Sequence, residues 1–155
     1  GKITNQKAQD LQNICHFLEK DSIERWVARY QLYLDTTRGK GSKADSGNLK
    51  LNAGATPQTQ DFLLTKDSRS FNRSIIKAIL CDSNCVGLRV VYGMSVDGKI
   101  HIILVGVQPD YNNLYVKYSK EFCRQGPGMR AMQTGDGDRS SNDGKSGGAE
   151  YGQIP

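Results

Sequence analysis

The sequence contains no run of about 18 apolar residues, which excludes a membrane-spanning helix. Cysteine is scarce: Cys15, Cys81, Cys85 and Cys123 are too few to build a disulfide scaffold in a chain of 155 residues. The one close pair, Cys81 and Cys85, stands in the order C-x-x-x-C, which fits neither the redox C-x-x-C nor a paired zinc knuckle, and is read as two small buried hydrophobic side chains. Only two histidines are present. His16 follows Cys15 on an expected helix, where neighbours point about 100° apart, so the two do not form a dyad. Phosphate-loop signatures are missing, and Gly126-Pro127-Gly128 and Gly135-Asp136-Gly137 do not stand between a strand and a helix. Asp136, Asp138, Asn142 and Asp143 offer oxygen ligands, but counting from Asp136 the sixth and twelfth places hold Ser141 and Gly147, not the glycine and carboxylate of a calcium loop. No metal and no cofactor is therefore expected.

Concentrated charge is missing as well. The net charge of +5 is spread along the chain, and the densest basic segment, Arg38, Lys40, Lys43 and Lys50, lies in a Gly/Ser-rich stretch that reads as a solvated loop. Nucleic acid is disfavoured as a partner, because its footprint is normally a dense stripe. The chain opens on Gly-Lys without a leader, which suggests a trimmed N-terminus and leaves the compartment open, with the cytoplasm favoured.

What the chain does have is a hairpin. From Cys85 to Gln108 two Val/Ile/Tyr-rich runs flank Asp97-Gly98, the strongest short-range hairpin signal. A two-residue turn there predicts Tyr92 opposite Ile103, Val90 opposite Val105 and Leu88 opposite Val107. Tyr92 and His101 then share one face, with Arg89 on the other, opposite Gly106. The second strand is apolar on both faces, which places it centrally in a covered sheet.

Around this hairpin, Leu11, Ile14, Cys15 and Leu18 predict a helix over 5–20, and Ile23, Trp26, Val27, Tyr30 and Leu34 a second one from Asp21. Residues 36–60 read as a long loop, in which the alternation at Leu49 and Leu51 is that of a short edge strand. Phe62-Leu63-Leu64 is a short apolar run, and Asp67 or Ser68 is expected to cap a third helix carrying Phe71, Ile75, Ile76, Ile79 and Leu80 on one face. Asn72-Arg73-Ser74 matches a glycosylation sequon but falls inside that helix. Leu114–Tyr118 is a candidate third strand, and 124–155, with eight of the 17 glycines, reads as a mostly irregular tail. The expected architecture is a single α+β domain over 1–123: two N-terminal helices and a third packed on a small antiparallel sheet centred on the 86–107 hairpin.

The order Phe71-x-x-Ser74-Ile75-Ile76, Val86-Gly87-Leu88-Arg89-Val90-x-Tyr92-Gly93, Asp97-Gly98-Lys99 and Leu104-Val105-Gly106-Val107 resembles a group of uncharacterised bacterial proteins, mainly from Bacteroidetes. It covers roughly the middle third of the chain and, more loosely, the leading helix. The resemblance implies no activity, cofactor or catalytic residue.

Three residues stand out as ligand candidates. Arg89, a long cation in mid-strand, needs a carboxylate or an anion, and a cavity left by Gly93 and Gly106 is one place to hold it. His101 and Tyr92 lie nearby on the same hairpin. With no nucleophile–base pair or metal set evident, the reading leans away from an enzyme and toward a non-enzymatic binding or interaction module, its partner a protein or a small anionic ligand. The rivals are a small enzyme using Arg89 with His101 or a cysteine, and a weak nucleic-acid binder acting through 38–50.

Overall fold

The computed structural model describes residues 5–37, 49–57, 69–122 and 144–150. The fold is α+β, with three helices and a six-stranded antiparallel sheet among the described residues. In chain order the elements are α1 (Gln6–Asn13), β1 (Phe17–Glu19), α2 (Lys20–Thr37), α3 (Arg73–Leu80), β2 (Gly87–Met94), β3 (Ile100–Val107), β4 (Asn113–Leu114), β5 (Val116–Lys117) and β6 (Ser146–Glu150). A 3-10 turn at Lys120–Phe122 lies between β5 and β6. The main path of the sheet runs β1-β6-β3-β2, with β4 beside β3 and β5 beside β6.

β3 is central, as its two apolar faces require. On one face α2 lays Ile23 and Trp26 against Leu18, Ile103 and Val105. On the other, α3 sets Ile75 and Ile79 against Phe17, Leu114, Val116 and Ala149, with Leu104 and Phe122 completing the layer. α3 begins where Asn72 caps it by accepting the Ile75 N–H at 3.2 Å, later than the Asp67 or Ser68 start expected, positions that lie outside the described residues. The amide of Asn72 also donates to Ile14 O at 2.7 Å, so the sequon asparagine is buried and engaged. Leu80, expected on the covering face, is exposed instead, because the helix ends there and turns away at Cys81.

The hairpin register differs from the expectation by one residue. Tyr92 pairs with Ile102, Leu88 with Gly106 and Arg89 with Val105. The loop holds three residues, Val96, Asp97 and Gly98: Gly98 N–H donates to Ser95 O at 2.9 Å, and Ser95 N–H to Lys99 O at 3.0 Å. Gly98 takes φ +84°, a left-handed conformation that a side chain resists, so Asp-Gly serves here as the end of a turn closed by a bulge. Asp97 fixes that choice with its side chain, which accepts from Ser95 Oγ and, at 3.3 Å, from Lys99 N–H. Because side chains alternate, the slip re-sorts both faces. Arg89, Val91 and Gly93 now share a face with His101, Ile103 and Val105, under α2; Leu88, Val90 and Tyr92 share the other with Ile102, Leu104 and Gly106.

Other expectations are corrected too. The first helix stops at Asn13, not Lys20, and Phe17–Glu19 is a strand paired with β6. The cause is burial all round: every residue from Ile14 to Leu18 is buried, which suits a covered strand and not one face of a surface helix. No strand forms at Leu49 and Leu51; Leu49 O accepts from Arg29 Nε at 3.1 Å, and Leu51 packs on Met94 and Ile100. The Leu114–Tyr118 strand is broken at Tyr115 into β4 and β5, which pair with different neighbours. Within the stretch read as irregular, Ser146–Glu150 is a strand that joins β1 to β3. Cys81 is exposed and Cys85 half-buried, both free thiols, while Cys15 is held in a disulfide. No described helix is long and apolar enough to cross a membrane.

Candidate functional site

The register decides what the three candidates can do together. Tyr92 lies on the opposite face of the sheet from Arg89 and His101, and Arg89 pairs four residues further along β3 than His101. They do not converge. Nor is there a cavity at the two glycines: a Cβ at Gly93 would come within 2.8 Å of Trp26 Cβ, and one at Gly106 within 2.7 Å of Leu114 Cδ2. Neighbouring side chains occupy both spaces, and the two glycines face opposite layers.

Arg89 reaches across β3 instead. Its guanidinium donates to Asn113 Oδ1 at 2.5 Å and to Tyr111 O at 2.7 Å, and lies 4.4 Å from the Tyr111 ring centroid. Neutral acceptors and an aromatic face satisfy the cation, where a carboxylate or a bound anion was expected. Tyr111 is held at φ +71° in the turn that precedes β4. Arg89 therefore organises the 108–113 loop.

His101 sits in a polar network that sequence reasoning missed. Its Nε2 is 2.9 Å from Ser95 Oγ and its Nδ1 is 2.5 Å from Glu150 Oε1, while Trp26 packs on the ring at 4.3 Å between centroids. Ser95 in turn bonds Asp97. Burial raises the Asp97 carboxyl pKa, but the Ser95 hydroxyl, the Lys99 amide and charge, and the charge of His101 outweigh it and hold it below the usual value. Ser95 has one proton to give, and the Asp97 carboxylate only accepts. That proton therefore goes to Asp97, and the Ser95 oxygen is left facing His101 Nε2 with lone pairs only.

Glu150 is gripped from the other side by His16, whose Nδ1 is 2.7 Å from Glu150 O and whose own carbonyl accepts the Glu150 N–H at 2.5 Å. Burial pushes the His16 imidazole down to about 4, only partly offset by the bond to Glu150, so at neutral pH it is uncharged and its Nδ1–H donates. The two histidines, widely separated in sequence, thus clasp one residue of β6. The signal available in the sequence was Ser95 two residues before Asp97; nothing there placed Glu150 beside the hairpin.

One surface is left open. β2 is an end strand with no partner on its outer side among the described residues. Along it Leu88, Val90 and Tyr92 are 41, 54 and 40 % exposed, and Val86, just before it, 65 %: large apolar side chains at alternate positions. Of the basic segment, Lys50 is exposed, and Arg38, Lys40 and Lys43 lie outside the described residues, as do Asp136, Asp138, Asn142 and Asp143. Among the described residues no group of three His, Cys, Asp or Glu side chains could hold a metal ion.

No family model, curated protein or solved structure matches this chain.

Proposed function

We propose that the protein is a non-enzymatic interaction module whose contact element is the outer edge of β2, and that the edge pairs with the same edge of a second copy. The observation that carries this is the exposed apolar row Leu88, Val90 and Tyr92 on an end strand, preceded by the exposed Val86. Sheets normally guard such edges with lysine, proline, acidic side chains or a bulge, because an open edge is a template for pairing. Gly87–Met94 has none of these guards; its one charge, Arg89, is folded away onto Asn113 and Tyr111. An antiparallel pair with its two-fold axis at Val90 sets Leu88 against the second copy's Tyr92 and Arg89 against its Val91. Leu88, Val90 and Tyr92 then meet apolar side chains, and no like charges face each other.

Sedimentation velocity over a range of concentrations tests it. The wild type is expected to dimerise reversibly and Val90→Lys, a change at an exposed site, to remain a stable monomer. A wild type that stays monomeric at every concentration would overturn the proposal.

The spacing Ser95–His101–Glu150 favours a second reading, a serine hydrolase. Two properties of the same site weigh against it. Ser95 is 1 % exposed, and its proton is directed to Asp97 and not to His101, where a general base would have to take it. A fluorophosphonate probe should leave Ser95 unlabelled; a covalent adduct on Ser95 would establish the hydrolase reading instead.

A further inference from the structure

Away from the sheet edge, α1 and α3 leave a groove of ≈ 780 Å³ between them, lined also by Ser119, Glu121 and Phe122. Its size is that of a small-molecule site. One wall is a single face of α1, carrying Ala8, Leu11 and Gln12 at helical spacing. The other is the face of α3 that carries Arg73, Lys77 and Cys81, successive turns of one helix line. Ala78 and Phe122 give the interior an apolar lining, and Glu121 is the one acid at the rim. Arg73 and Lys77 are both exposed, and neither has an ion-pair partner among the described residues.

We infer that this groove binds a small organic anion, its charged head held between Arg73 and Lys77 and its apolar body lying over Leu11, Ala78 and Phe122. Two cations one turn apart on a rigid helix present a convergent pair of donors to one carboxylate or phosphate. The apolar lining supplies the area that a bare inorganic ion would not use, which sets the ligand class as amphipathic. The site shares no residue with the β2 edge, so it stands or falls independently of self-pairing.

Cys81 provides the readout, because it is an exposed free thiol on the groove wall, while Cys85 lies outside the groove with its thiol on Gly87 O at 3.2 Å. The probe is octanoate, with octylamine as its cationic counterpart, and the measurement is the rate at which N-ethylmaleimide alkylates each thiol. Octanoate at about ten times its dissociation constant is expected to slow Cys81 roughly tenfold and leave Cys85 unchanged. Octylamine should give no protection, and in Arg73→Gln/Lys77→Gln, two exposed positions whose loss leaves the core intact, octanoate protection should shift to at least about tenfold higher concentration. No protection by octanoate, equal protection by octylamine, or full protection in the double variant would each overturn the assignment.

Discussion

His16 shows how one side chain can set the response of the whole fold to acid. Its imidazole titrates near 4 when folded and near 6.5 when unfolded, so between those values the unfolded chain binds a proton that the folded chain refuses. Stability from this group is complete above 6.5 and is lost as pH falls to 4, by about 3 kcal/mol from a shift of roughly 2.5 pH units. Asp97, whose carboxyl is held low, acts in the same direction at still lower pH. Urea melts at pH 7 and pH 4.5 are expected to show the loss, and His16→Gln should remove most of the His16 part of the slope. An unchanged midpoint between the two pH values would mean that His16 is solvated in the folded state.

At this scale the sequence was partly legible. His101 was singled out on the hairpin and is found packed on Trp26, but its bonds to Ser95 and Glu150 were not foreseen. Arg89 was expected to need a partner and has two, although neutral ones. Its partners lie more than twenty positions away, beyond what local spacing reports. Arg29 was not singled out at all; it is buried and donates to Met94 O at 2.7 Å, tying α2 to the end of β2. A cation at helical spacing looks the same in sequence whether it faces solvent or a backbone carbonyl.

Among the elements, α3 and the hairpin were the most readable, because each carries a strong period. Ile75 and Ile79 are fully buried, as their spacing on one helix face requires. Ile79→Ala is expected to cost about 2 to 4 kcal/mol in equilibrium unfolding, the usual range for emptying a packed aliphatic site. A loss below about half a kcal/mol would show that α3 does not cover the sheet. The strand pair was legible but its register was not, because Asp-Gly fits both a two-residue turn and the last two places of a three-residue loop, and the bonds of Ser95 with Asp97, Gly98 and Lys99 that distinguish them are not visible in sequence. β6 was hidden for a different reason. Its Gly147 and Gly148 looked like flexible tail, yet a Cβ at Gly148 would come within 2.9 Å of Val105 Cγ1, and one at Gly147 would strike the Leu18 carbonyl. Composition alone cannot tell a mobile glycine from one required by close approach.

For the whole molecule, β6 makes the C-terminal segment indispensable. It stands between β1 and β3, holds β5, and brings Glu150 to both histidines. Truncation after Lys145 is therefore expected to abolish cooperative unfolding, and a truncated chain that melts like the full one would refute this role. Among the described residues, the six strands joined in this way leave one long open side, at β2.

Amide hydrogen exchange across that strand, measured at low and high protein concentration, tests self-pairing most directly. The account predicts that amides of Leu88–Tyr92 that point outward gain protection as concentration rises, that those bonded to β3 change little, and that Val90→Lys abolishes the gain. Exchange along β2 that is the same at every concentration would contradict it.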